Sequence, residues 1–202
     1  MIKILLDNGH GFSTPGKRSP DGKLREYAYA REITKRIKTD LDKLGIESII
    51  LVPEDDDISL SERCKRANNI YDEDSKNCIL ISVHLNAAGN GSQWMTGRGW
   101  EAYTYRGETK SDELATYLYE SAKECLPPGT KLRTDYSDGD PDKESGFYIL
   151  KHTKMPAVLT ENLFQDNKED VDFLLSEEGK EAITNLHVQG ILKYIIKNCK
   201  GK

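Results

Sequence analysis

Short apolar runs alternate along the chain with longer stretches whose hydrophobic residues recur every three or four positions, the pattern of strands separated by helices. Residues 2–6 and 46–52 read as strands on either side of a helix over 26–44, which Leu44-Gly45 stops. Pro53 ends the second strand. Ser59, followed three positions later by Glu62, resembles a capping box opening a helix to about Tyr71, with Leu60, Cys64, Ala67 and Ile70 on one face. Residues 78–84, Cys-Ile-Leu-Ile-Ser-Val-His, are the most apolar run and predict a central parallel strand covered on both faces. A strand over 100–105 and a helix over 111–125 follow, and Pro127-Pro128 ends the helix. Residues 129–145 are charged and rich in Gly and Pro, which predicts a long surface loop of the kind that is usually functional or mobile. Strands over 147–150 and 157–160 and a helix over 176–197 complete the chain. The expected fold is α/β: a single three-layer domain with a mostly parallel twisted sheet of about six strands and helices on both faces. In such sheets ligands bind beyond the carboxyl ends of the strands, so polar residues there become the candidates for chemistry.

Composition narrows the partners. The 202 residues suit one catalytic domain. Lys and Arg number 29 against 34 Asp and Glu, a net charge of −5, and no basic run appears that could release counterions from a nucleic acid. Nucleic acid and anionic membrane are thereby disfavoured. No stretch approaches the roughly 18 apolar residues of a membrane span, and the opening residues lack the pattern of a signal peptide. Cys64, Cys78, Cys125 and Cys199 are far apart without a Cys-x-x-Cys spacing, so they read as buried or incidental thiols, with pairing left open.

Three strand ends share one chemical vocabulary: Asp7-Asn8-Gly9-His10-Gly11, Ser82-Val83-His84-Leu85-Asn86 and Thr160-Glu161-Asn162. These are first-row metal ligands and a possible base. Gly9 and Gly11 predict a sharp bend that leaves the His10 imidazole projecting from the sheet edge. Two neutral imidazoles leave a divalent metal's charge uncompensated, which makes a carboxylate the natural third ligand with a fourth position open to water. Glu26, at the start of the first helix, is placed to supply it, although a first-turn Glu is also what the helix dipole favours. Asn86 reads either as a turn former or as a substrate contact. Arg63 is a second substrate-contact candidate, or else the partner of a carboxylate or backbone carbonyl beneath the site. His152 and His187 read as surface and structural histidines. Trp94, Trp100, Tyr136 and Tyr148 fill either core or groove.

Together with Arg25-Glu26, Leu60-Ser61-Glu62-Arg63, Ala67-Asn68 and Pro156-Ala157-Val158-Leu159-Thr160-Glu161, these segments occur in an order that resembles the zinc-dependent N-acetylmuramoyl-L-alanine amidases of the amidase_3 family. The resemblance covers nearly the whole chain and implies a single catalytic domain over 1–202 with no separate wall-binding domain. It implies one Zn2+ held by His10, Glu26 and His84, with Glu161 as the catalytic carboxylate. It also implies hydrolysis of the amide between the lactyl group of N-acetylmuramic acid and L-alanine, on peptidoglycan or muropeptide, by a monomer working at the cell wall. Two departures stand out: Asn8 where many relatives carry Pro, and Leu163-Phe164 where Gly-Phe is commoner. A zinc exopeptidase and a metal-free wall-binding module are the alternative readings of the same residues.

Overall fold

The computed structural model describes residues 2–74 and 76–199, with the side chain of Cys199 outside the description. Strands β1 (Lys3–Asn8), β2 (Ser48–Ile50), β3 (Cys78–Asn86), β4 (Trp100–Thr104), β5 (Lys143–Glu144) and β6 (Ala157–Phe164) form one sheet in the order β2-β1-β3-β6-β4-β5. All neighbours run parallel except β4 and β6, which are antiparallel. The helices are α1 (Glu26–Lys43), α2 (Leu60–Glu73), α3 (Lys110–Cys125), α4 (Tyr148–His152), α5 (Lys168–Leu175) and α6 (Glu177–Cys199). This is the expected α/β sheet with helices on both faces.

The period-two alternation of the strands sorts side chains into two cores. Ile4, Leu6, Ile79, Ile81, Val83 and Val158 face α1, α3 and α6 in the larger one. Leu5, Leu80, Ala157 and Leu159 face α2 and α4 in the smaller one. The same alternation carries Asp7, Ser82, His84 and Glu161 to the α2/α4 face, at the carboxyl ends of β1, β3 and β6. Ser59 caps α2 as expected, its side chain accepting from the Glu62 N–H.

Two elements differ from the sequence pattern. Residues 147–150 were expected as a strand, but Tyr148–His152 is the short helix α4, and the sheet position beyond β4 is taken by β5 inside the long loop. Burying Ile149 and Leu150 against Cys64 outweighs the strand preference of an aromatic and β-branched run. Helix α5 was not anticipated; Asn167 caps it, its Oδ1 accepting from the N–H groups of Glu169 and Asp170. Among the described residues no helix is long and apolar enough to cross a membrane. Cys64, Cys78 and Cys125 are free thiols, and burial pushes Cys64 and Cys78 up to about 11; the pairing of Cys199 lies outside the described residues.

His187 of α6 is structural, as expected. It is fully buried, its Nδ1 2.7 Å from the Ile183 carbonyl and its Nε2 2.9 Å from the Thr160 hydroxyl. The carbonyl can only accept, so Nδ1 carries the proton and Nε2 accepts from Thr160. Burial lowers this histidine to about 4. Between pH 6.5 and 4 the unfolded chain therefore binds a proton that the folded chain does not, and stability falls as pH falls. The loss reaches about 3 kcal/mol by pH 4. Denaturant titrations at neutral and acid pH are expected to show that slope, and His187→Gln is expected to flatten it; an unchanged slope would show that His187 is not the group responsible.

Candidate active site

Glu26 stands at the centre of the site. Its carboxylate is fully buried, and Oε1 lies 3.1 Å from His84 Nδ1 and 3.3 Å from His10 Nε2 while accepting from the Leu85 N–H at 3.0 Å. Oε2 accepts from Gln165 Nε2 at 2.9 Å, with the Lys17 ammonium 4.0 Å away. Burial alone would raise the Glu26 carboxyl, but the two imidazoles overcome it and hold the group well below the usual carboxylate range. Burial disfavours a charged His84, and the hydrogen bond to Glu26 reverses this and raises it. The two imidazoles meet edge to face, ring centres 5.0 Å apart, each retaining partial access to solvent.

The loop after β1 is set from beneath by two arginines. Arg63 donates to Asp7 Oδ1 at 2.8 Å, to the carbonyls of Asn8 at 2.6 Å and His10 at 2.9 Å, and to the Ile58 carbonyl at 2.8 Å. Asp7 is held from its other side by the Ser82 hydroxyl at 2.5 Å. Arg31 adds a bond to the His10 carbonyl at 3.2 Å and two to that of Glu54. These bonds hold His10 at φ 59°, a left-handed conformation that costs a non-glycine residue roughly 1–2 kcal/mol.

The bend thus falls on His10 itself, and the flanking glycines serve another need. A Cβ on Gly9 would lie 2.4 Å from the His84 ring, and one on Gly11 2.2 Å from the Asp57 backbone. Gly9→Ala is therefore expected to displace His84 from Glu26 and to lower affinity for added divalent metal at least about 10-fold, measured by competition with a chelating dye. Unaltered affinity would mean that the His84 ring is not needed where it lies.

Glu161 pairs in register with His84 and lines a cleft of about 510 Å³ with His10, His84, Lys17, Tyr148 and Leu159. Its Oε2 is buried without a hydrogen-bond partner, and burial pushes the carboxyl up to about 8. Directly after it the register shifts between His84 and Asn86, so that Asn162 and Leu163 together oppose Leu85. Leu163 takes φ 67°, a left-handed backbone that favours glycine, and here a buried leucine adopts it and fills core. At the other departure, Asn8 is buried and donates to the Val52 carbonyl at 3.0 Å, fastening the loop to the end of β2.

The structure brings His10, Glu26, His84 and Glu161 together and shows how the other two candidates, Arg63 at the cleft and Asn86 at the end of β3, are held. Arg63 is only 2% exposed with its donors turned inward, matching the alternative of a carboxylate and carbonyl partner. Asn86 donates to Glu101 of β4 and accepts from the Ala87 N–H at 2.8 Å, so both ends of its amide are engaged. Of the aromatics, Trp100 is core, bonded to Asn162 Oδ1 at 2.8 Å, while Tyr148 faces the cleft and Trp94 and Tyr136 face solvent. His152 is exposed and stacked on Tyr148. Gln165, Lys17 and Phe147 were missed: nothing in a single sequence marks a glutamine four positions past Glu161 as buried against Glu26.

One nitrogen from each imidazole and a carboxylate oxygen of Glu26 lie within 4.8 Å of one another, so the three can hold one metal ion. Two histidines and a glutamate are a donor set of catalytic zinc, with the cleft leaving a position open. Fold and site together define a hydrolase.

Comparison with known proteins agrees. The sequence pattern of the N-acetylmuramoyl-L-alanine amidase family matches residues 4–193, and the chain belongs to that family of amide hydrolases. It is 28% identical over 193 residues to the sporulation-specific N-acetylmuramoyl-L-alanine amidase of Bacillus subtilis (strain 168), covering 95% of this chain and 67% of that one. It is 29% identical over 209 residues to the endolysin of Bacillus phage SPP1, covering all of this chain and 69% of that one. The crystal structure of N-acetylmuramoyl-L-alanine amidase from Clostridium difficile 630 superposes with a TM-score of 0.79 at 26% identity, covering 96% and 97% of the two chains.

Proposed function

We propose that this chain hydrolyses the amide between the lactyl group of N-acetylmuramic acid and L-alanine of the peptidoglycan stem peptide, as a single-domain monomer acting at the cell wall. In this reading His10, Glu26 and His84 hold one zinc ion and Glu161 is the general acid and base. The observation that carries it is the convergence of two imidazole nitrogens on one oxygen of a buried carboxylate, beside a second carboxylate whose Oε2 has no partner. Similarity to proteins named N-acetylmuramoyl-L-alanine amidase supports the choice of amide.

Zinc, when bound, supplies a Lewis acid that polarises the scissile carbonyl and lowers the pKa of water toward neutrality. The chain's own residues do the rest. Glu26 is kept ionised by the imidazoles and oriented by the Leu85 N–H and Gln165, so it is ready as a ligand before any metal arrives. Glu161 Oε2 takes the proton from the attacking water and returns it to the departing L-alanine nitrogen. Burial favours the protonated form of Glu161, and a cation held by His10, Glu26 and His84 would favour release of that proton. Tyr148, Leu159 and Phe147 form an apolar wall along one flank of the cleft.

Mass spectrometry of digested cell walls tests the reaction. Stem peptides with a free L-alanine amino terminus and glycan with free lactyl carboxylates are expected. Peptides cut internally with the lactyl amide intact would identify an exopeptidase or endopeptidase instead.

A further inference from the structure

A second group of carboxylates lies on the other side of the sheet from Glu161. Asp142, from the loop before β5, is 2% exposed; its Oδ2 accepts from the Thr104 hydroxyl at 2.7 Å, and its Oδ1 is buried without a partner. Asp140, from the same loop, and Asp112, from the first turn of α3, each bring a carboxylate oxygen close to it, the three atoms lying within 4.8 Å of one another. Asp112 also closes the α3 capping box with Thr109, and the Asp142 N–H donates to Asp140 Oδ1 at 3.3 Å. Among the described residues no lysine or arginine forms an ion pair with any of the three, although such pairs are common elsewhere on the protein. A buried carboxylate oxygen facing two further carboxylates, without a counter-charge, is a costly arrangement unless a cation or a proton relieves it.

We propose that Asp112, Asp140 and Asp142 form a calcium site that fastens the loop before β5 to the N-terminus of α3. The donors are all hard oxygens, which suit calcium or magnesium and not zinc. Two oxygens on one calcium are at most about 5 Å apart, twice the metal–oxygen distance, whereas magnesium draws its ligands within about 4.2 Å. Oxygens within 4.8 Å of one another can share one such ion, and calcium accepts the irregular geometry of a loop and a helix start where magnesium demands a near-ideal octahedron. Water completes the shell on the side where Asp112 and Asp140 are half-exposed. The site is structural: Thr104 lies three positions along β4 from Glu101, which pairs with Glu161, and the ion would join the loop before β5 to the start of α3 beside β4.

Thermal melting of the full chain with zinc present, so that the His10 site is filled, tests this. Calcium at about 5 mM is expected to raise the melting temperature by roughly 5 °C. Asp142→Asn and Asp140→Asn, the second changing a half-exposed side chain that need not disturb folding, are expected to abolish the rise. No rise in the unaltered chain overturns the proposal, and a calcium-free Asp142→Asn more stable than the unaltered chain would then identify a proton shared by Asp140 and Asp142. A rise that survives both substitutions overturns the location, and an equal rise with magnesium overturns the choice of calcium.

Discussion

Glu161→Gln is expected to lower turnover on peptidoglycan by about 10²- to 10⁴-fold while leaving bound zinc unchanged. The amide keeps the shape of the carboxylate, so the β6 bulge and the cleft wall persist, but it can neither take a proton from water nor return one to the leaving nitrogen. Oε2 carries the effect because nothing else in the protein engages it. Metal analysis beside steady-state rates checks the result. Zinc lost from this variant would make Glu161 a ligand and reopen the role of Glu26.

His84→Ala is expected to lower zinc affinity by more than about 100-fold and to abolish hydrolysis, and His10→Ala to do the same. Each imidazole removed leaves Glu26 with one fewer of the groups that keep it ionised against burial, so the site loses a ligand and weakens another. His152→Ala serves as the control: that ring is exposed, 3.0 Å from its own helix carbonyl at Tyr148, and its loss should alter neither property. Activity retained by a zinc-free His84→Ala protein would end the metal assignment.

Much of this architecture could be read before any coordinates. Runs such as 78–84 are too apolar to be anything but covered strand, and the 3.6-residue spacing of 26–44 and 111–125 marks helices whose ends are signalled by Gly45 and Pro127. The segment 147–150 failed because periodicity cannot see competition: Tyr148, Ile149 and Leu150 became helical once β5 held the edge and Ile149 and Leu150 packed beneath α2. In the site, the vocabulary of the strand ends pointed to His10, His84 and Glu161, and family resemblance joined Glu26 to them. Arg63 and Asn86 were harder, because a polar residue near a site is equally suited to touch substrate or to hold a loop, and only its partners distinguish the two.

Residue order alone therefore settled the alternation of strands and helices, the poverty of basic surface and the presence of metal-type donors at strand ends, since each depends on local spacing or composition. Packing settled the rest. That Gly9 is small so that the His84 ring can lie over it, that His10 bends the chain under two arginines, and that Gln165 steadies Glu26 from 139 positions away are relations between segments distant in sequence. Their energies arise from close contact and exclusion of water, which exist only once the chain has closed on itself.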